Sequence, residues 1–259
     1  MRFCSLGSGS SGNATLIEAG DGARRSRVLV DCGFSIKELA ARLARAGLEP
    51  AELDAIFVTH EHADHIGSAI PLAKRYGLPL WMSQGTWRAV GAPELPSGLL
   101  DFARDGERIA IGALELAPYT VPHDAQEPLQ LALGDGAARL GILTDAGSNT
   151  GHLLAALAGC QALLLECNHD RELLANSRYP PALKARIAGR HGHLANDTSA
   201  AILAGVMHAG LKHVVAAHLS EQNNRPALAR AALATVLGAA CEDIVVADPR
   251  RGFAWLDVS

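Results

Sequence analysis

The chain has 259 residues, 49% of them hydrophobic and 19% charged, which supplies a globular core and excludes intrinsic disorder. The longest uncharged apolar stretches, Leu153 to Leu165 and Ala231 to Cys241, fall short of the roughly 20 residues a membrane-spanning helix needs. A net charge of −4 excludes a global positive field, so nucleic acid would have to be held by a local patch or by bound cations.

Five cysteines (Cys4, Cys32, Cys160, Cys167 and Cys241) are scattered and never form a CxxC pair. That usage suits reduced thiols, and Met1 to Gly7 lacks an apolar signal region, so the expectation is a cytoplasmic protein. No linker, repeat or low-complexity tract interrupts the chain, and one domain over 1–259 is expected.

In chain order, Met1 to Leu6 and Ala14 to Glu18 read as strands around a Gly/Ser turn, and Arg27 to Asp31 as a buried strand ending in a carboxylate. Ser35 caps a helix with Ile36, Leu39, Ala40 and Leu43 on its apolar face, stopped by Gly47. Asp54 to Val58 is a buried strand that runs straight into a polar loop. Helical spacing resumes from Ile66 to Tyr76, with Gly77 as its stop. Strands follow at Glu107 to Ile111, Ala113 to Tyr119, Leu129 to Leu133 and Arg139 to Thr144, the last two joined by an Asp135-Gly136 hairpin. The second half alternates: helix at Leu153 to Leu157, strand at Ala162 to Leu165, helix at Thr198 to His208, strand at His213 to Ala217, helix at Pro226 to Leu237. Late strands lie near Ile244 to Ala247 and Phe253 to Leu256. Mixed sheets with helices outside, an α/β (α+β) architecture, are the simplest packing of this order.

The loop Thr59-His60-Glu61-His62-Ala63-Asp64-His65 crowds three imidazoles and Asp64 directly after a buried strand. Protonated imidazoles would repel and neutral ones would need many partners; a divalent cation turns the same cluster into coordination bonds. His123, Asp145 and His218 each stand where another apolar run stops. Singly, each is an ordinary loop residue. Together they form a set of nitrogen and oxygen donors with little sulfur, which fits an open catalytic site better than a structural zinc knot.

His60-x-His62-x-Asp64-His65, followed in order by His123, Asp145 and His218, resembles the metallo-β-lactamase superfamily. The resemblance implies a four-layer αββα sandwich. It also implies one metal on His60, His62 and His123 and another on Asp64, His65 and His218, with Asp145 between them and Asp31 orienting ligands. Met1 to Asn13 (MRFCSLGSGSSGN), Pro122-His123-Asp124-Ala125, Glu166-Cys167-Asn168-His169-Asp170, Gly192-His193-Leu194-Ala195-Asn196 and His218 to Asn224 (HLSEQNN) are similar to the YycJ/WalJ-type branch, which implies a 5′-to-3′ DNA exonuclease. Ala195 departs from the serine expected there.

The chemistry would use two divalent ions, Zn²⁺ or Mn²⁺ with Fe²⁺ also compatible, whose bridging water ionises and attacks a phosphodiester. Asp64 or Asp145 could hold the proton of that nucleophile, and His193, in Arg190-His191-Gly192-His193, is the candidate partner of the leaving alkoxide. Glu166, Asn168 and His169 follow a strand and either line the same edge or satisfy backbone groups. Arg171, Arg178, Lys184, Arg186 and Arg190 face only Asp170 and Glu172 in sequence. They form either a phosphate contact, with Arg186 and Arg190 nearest His193, or a solvated helix face.

Gly7-Ser8-Gly9-Ser10-Ser11-Gly12 fits G-x-G-x-x-G, but a strand rather than a helix is expected after it, so no nucleotide cofactor is expected. Ser8, Ser10 and Ser11 instead offer a tight loop to a substrate phosphate. Alternatives on the same metal site are a hydrolase of a small thioester, lactone or β-lactam, and ribonuclease-like RNA processing.

Overall fold

The computed structural model describes residues 1–20 and 24–258. Its strands are β1 (Arg2–Gly7), β2 (Ala14–Gly20), β3 (Arg25–Val30), β4 (Ala55–Phe57), β5 (Leu80–Met82), β6 (Leu100–Phe102), β7 (Ile109–Ile111), β8 (Leu114–Thr120), β9 (Leu129–Gly134), β10 (Arg139–Leu143), β11 (Ala162–Glu166), β12 (His213–Ala217), β13 (Val245–Val246) and β14 (Phe253–Asp257). Its α-helices are α1 (Ile36–Arg45), α2 (Ala63–Ile66), α3 (Ala69–Tyr76), α4 (Gln84–Ala89), α5 (Gly151–Leu157), α6 (Arg171–Asn176), α7 (Pro181–Ile187), α8 (Asn196–Val206) and α9 (Pro226–Leu237). Among the described residues, none of these helices is long and apolar enough to cross a membrane.

The strands form two seven-stranded sheets, ordered β14-β1-β2-β3-β4-β5-β6 and β13-β12-β11-β10-β9-β8-β7. Alternation within each strand splits its apolar residues between two layers. Ile17, Val28 and Phe57 of the first sheet meet Leu131, Leu140 and Leu164 of the second in a core between the sheets. Their neighbours Leu16, Leu29 and Ile56 point the other way, onto Leu39 and Leu43 of α1 and Leu72 of α3. Leu163, Leu165 and Val214 do the same on the second sheet, against Leu153, Ile202, Leu203 and Leu233 of α5, α8 and α9. The layers are therefore helix, sheet, sheet, helix, the αββα sandwich expected. Each fully buried Leu, Ile or Phe contributes about 1.5–3 kcal/mol relative to exposure.

Strand direction decides where the polar ends go. β3 and β4 are parallel, so Asp31 and Thr59-His60 emerge from one edge. β10, β11 and β12 are parallel to one another. β8 runs antiparallel to β9 and β9 antiparallel to β10, so β8 shares their direction. The ends carrying His123, Asp145, Glu166 and His218 thus leave the second sheet at one common edge.

Local signals held where they were strong. The Ser35 side chain accepts the Glu38 N–H at the start of α1, and Gly77 closes α3 in the left-handed conformation at φ 67°. The helix expected from Ile66 to Tyr76 instead breaks. Gly67, at φ 34°, packs its Cα where a Cβ would stand 2.3 Å from the Cys32 carbonyl oxygen, and α2 and α3 lie on either side. Consequently the histidine-rich segment is not all loop: His62 precedes α2, while Asp64 and His65 lie on it. The short strands β5 and β6 and the helix α4 have no counterpart in the sequence reading, whereas α6 and α7 fall where a solvated helix face was one of the two readings.

Candidate metal centre

α2 is pinned from two sides. The Asn13 N–H donates to the Asp64 carbonyl (2.7 Å), the Cys32 N–H to the His65 carbonyl (2.7 Å) and the Gly33 N–H to the Asn13 carbonyl (2.9 Å). Gly33 sits inside this knot: a Cβ there would lie 1.9 Å from the Asp64 carbonyl oxygen and 2.7 Å from the Asn13 nitrogen. Both neighbours are backbone, so no rotamer change relieves the clash. Gly33→Ala is expected to destabilise the fold by about 1–3 kcal/mol, read by denaturant unfolding. An unchanged midpoint would show that the Asp64 segment moves freely.

Two donor groups result. His60, His62 and His123 turn ring nitrogens toward one another, with His60 Nε2 3.0 Å and His123 Nε2 3.2 Å from His62 Nδ1. Asp64, His65 and His218 form the second group: Asp64 Oδ2 is 3.7 Å from His65 Nε2 and 3.4 Å from His218 Nε2. Asp145 stands between them, its Oδ2 2.6 Å from His65 Nε2 and 3.6 Å from His60 Nε2. Within each group the candidate ligand atoms lie within 4.8 Å of one another. All seven residues named from the sequence converge on one sheet edge.

The tautomers are set from behind. Thr59 Oγ1 has one proton, which goes to Asp31 (3.0 Å), so it accepts from His60 Nδ1 (3.0 Å). His65 Nδ1 donates to Asp31 Oδ2 (2.8 Å) and His123 Nδ1 to the Gly192 carbonyl (2.9 Å). In the neutral His60 and His123 rings this leaves a bare Nε2 aimed into the cluster, the state a cation requires, whereas His65 also meets Asp145 through Nε2 (2.6 Å) and must give up a proton there to bind one. His60 Nε2 and His123 Nε2 both face His62 Nδ1, and the one proton that nitrogen can carry satisfies only one of them. The donor set therefore fits divalent cations.

Electrostatics agree. Burial, together with repulsion from His65 and His123, holds His60 well below the ordinary imidazole range. Burial brings His123 down to about 4. Burial also opposes charge on His65 and His218, but Asp31 and Asp145 outweigh it at His65, and Asp145 and Asp64 outweigh it at His218, so both are raised. Burial likewise favours a protonated Asp145, yet His218, His65 and His193 outweigh it and hold the carboxylate well below its usual range. Asp31 (φ 63°) and His218 (φ 53°) both adopt left-handed backbone conformations at their strand ends. Non-glycine residues rarely sit there outside constrained sites.

His193 joins the same edge. Its Nδ1 lies 2.9 Å from Asp145 Oδ1 and 2.8 Å from Glu166 Oε1, and its ring stacks on His218 with centroids 5.4 Å apart. Burial opposes its charge, but Asp145 and Glu166 hold it well above the ordinary range. The other Glu166 oxygen accepts the Ala146 N–H (2.9 Å), which ties Glu166 to the Asp145 loop. Glu166 thus does both things its strand-end position allowed: one oxygen lines the edge beside His193 and the other satisfies a backbone N–H.

The remaining residues named from the sequence separate. Ser8 is buried, not displayed: its Oγ accepts the His218 N–H (2.9 Å) and donates to Asn13 Oδ1 (3.1 Å), so it supports the strained His218 backbone. Ser10 and Ser11 are exposed on the loop tip. Asn168 Nδ2 donates to the His218 carbonyl (3.1 Å). His169 is buried, and neither ring nitrogen has a hydrogen-bond partner among the described residues. Arg186 is drawn to Asp124 (2.5 Å) and Arg171 to Asp197 (2.8 Å), so much of the positive charge read along this segment is compensated. The Arg190 side chain is exposed. Sequence reasoning did not name Asp124 as a site residue: its Oδ1 is 3.5 Å from His123 Nε2, and its signals were adjacency to His123 and its place in the Pro122-His123-Asp124-Ala125 motif.

This edge, with imidazoles and carboxylates collected from both sheets, is the site of a metal-dependent hydrolase. The metallo-beta-lactamase superfamily model matches residues 7–193. Exodeoxyribonuclease YycJ of Bacillus anthracis is 34% identical over 239 residues, covering 92% of this chain and 89% of that protein. Exodeoxyribonuclease WalJ of Streptococcus pneumoniae is 31% identical over 245 residues, covering 93% and 89%. Among solved structures, the metallo-beta-lactamase fold protein YhfI from Bacillus subtilis has a TM-score of 0.75 at 19% identity, covering 98% of both chains. The chain belongs to the metallo-beta-lactamase superfamily of hydrolases, in its YycJ/WalJ branch.

Proposed function

We propose that this chain is a dinuclear metal-dependent phosphodiesterase that degrades DNA from an end in the 5′-to-3′ direction. The observation that carries the dinuclear reading is the pair of donor groups meeting at Asp145. The relatives named exodeoxyribonucleases support DNA as substrate, and polarity rests on the resemblance to their branch. His60, His62 and His123 would hold one cation, and Asp64, His65 and His218 the other, with Asp145 shared. When bound, two divalent cations acidify water and neutralise the charge that builds on a phosphodiester.

The protein's own groups do the rest. Asp31 and Thr59 keep His60 and His65 in the ligand tautomer. Asp64, about a quarter exposed, is placed to take a proton at the mouth of the site. Glu166 and Asp145 anchor His193 Nδ1, which leaves Nε2 to stabilise or protonate the departing 3′-oxygen. Zn²⁺, Mn²⁺ and Fe²⁺ all suit these donors.

End-labelled duplex DNA, single-stranded DNA, RNA and a chromogenic thioester, each with Mn²⁺ or Zn²⁺, test the reading. Stepwise loss of nucleotides from the 5′ end of DNA is expected; turnover of the thioester alone contradicts it.

Proton release supplies a second check. His65 and His218 are both raised in the metal-free protein, so they carry protons below their raised values. Cations must displace those protons, so affinity is expected to rise with pH, by up to about tenfold per pH unit for each proton released. Calorimetric titration in buffers of differing ionisation enthalpy reads this directly. Affinity independent of pH would show that neither ring becomes a ligand.

A further inference from the structure

Beyond the metal centre lies a groove of about 550 Å³ lined by Leu219, Ser220, Arg225, Arg230, Pro249 and Arg250. It begins beside the site, since Leu219 and Ser220 directly follow His218. The glycine loop packs behind two of its lining residues: a Cβ on Gly9 would meet Pro249 Cβ at 3.4 Å and the Leu219 carbonyl at 3.5 Å. One wall is Asp248, Pro249 and Arg250, in a turn that closes on itself through the Gly252 N–H to the Asp248 carbonyl (2.8 Å).

The charge on this groove is left open. Among the described residues, the Arg225 and Arg230 guanidinium groups donate only to main-chain carbonyls, those of Glu221, Gln222 and Asn224 and of Ile244, which neutralise nothing. The Arg250 and Arg251 side chains are exposed, Arg250 in the groove and Arg251 on the adjoining face with Arg45; among the described residues neither makes a side-chain hydrogen bond or ion pair, and Arg45 reaches the Arg250 carbonyl. Two carboxylates belong to the same surface. Glu221 is exposed, and Asp248 Oδ1 is turned onto the N–H groups of Arg250 (2.8 Å) and Arg251 (2.7 Å). The α6–α7 segment differs, because Arg171 and Arg186 there are consumed by Asp197 and Asp124.

We infer that this arginine groove is the track for the phosphate backbone of the DNA strand whose end lies at the metal centre, with Arg250 in the groove and Arg251 on the adjoining face as contacts to successive phosphates. Guanidinium groups free of carboxylate partners, in a groove that opens at the catalytic edge, fit a polyanion fed toward it. The exposed Ser10 and Ser11 directly follow Gly9, which packs against Leu219 and Pro249 of the groove. This inference rests on the nuclease reading, because only a polymeric substrate needs such a track.

The test is R250Q/R251Q. The hydrogen bonds of the turn use the backbone of both residues, so the substitutions leave it intact, which thermal unfolding checks. Binding of a fluorescent single-stranded oligonucleotide to metal-free protein is followed by anisotropy between about 50 and 200 mM salt. The slope of log affinity against log salt is expected to shrink by about 1.4, two phosphates at about 0.7 each. An unmoved slope overturns the track, as does a slope that moves only when Arg178 and Arg190 are replaced instead. Failure of the nuclease reading looks different: wild-type protein with metal would then degrade no DNA, whatever the slope does.

Discussion

His193→Ala is expected to lower kcat on DNA by about 10²–10⁴ while metal content stays at the wild-type value. The ring is locked on three sides. Its Nδ1 meets Asp145 and Glu166, it stacks on His218, and it meets His123 edge-on with centroids 5.3 Å apart. A ring so anchored has Nε2 as its one atom available for chemistry. His193→Asn tests whether hydrogen bonding alone suffices, since the amide donates but does not titrate. Single-turnover kinetics with metal analysis read both variants. Loss of a metal ion with the ring would make His193 a ligand, which the Asp145, Glu166 and His218 atoms around it also permit; an unchanged rate would remove it from the mechanism.

Metal removal carries the second large effect. The centre buries His60, His65, Asp145, Glu166 and His218 almost completely. Buried charges and facing lone pairs are costly without a counter-charge. Cation binding to the folded chain alone contributes about 2.7 kcal/mol at a hundredfold excess over Kd. For a chain of this size that raises Tm by about 5–10 °C. Asp145→Ala should abolish most of this shift, because Asp145 is within reach of both donor groups. Calorimetry with and without a chelator measures it. A Tm indifferent to both metal and Asp145 would mean that the cluster holds no cation in the folded state.

What the sequence conveyed depended on burial and length. Buried strands such as Ala162–Glu166 and His213–Ala217 announced themselves as apolar runs, and the residue ending each run proved to stand at the site. The strands Leu80–Met82 and Leu100–Phe102 have three residues each, too few to display a period. Helix α7 buries none of its residues, so it has no apolar stripe to read. Convergence was a different matter. That His123, 58 positions beyond His65 in the chain, closes on His62 follows from the parallel run of β8 with β10 and β12; no local pattern conveys it, and the family resemblance did. Ser8 and Arg186 show the opposite limit. Their residue types suggested phosphate contacts, but Ser8 is satisfied internally by His218 and Asn13, and Arg186 by Asp124.

The central claim is that residues distant in sequence gather two cations at one sheet edge. Elemental analysis of purified, metal-supplemented protein, with anomalous diffraction at the metal edge to locate the ions, tests it most directly. Two ions per chain are expected, one among His60, His62 and His123 and the other among Asp64, His65 and His218. Protein without stoichiometric metal, or ions located away from these side chains, would contradict the account.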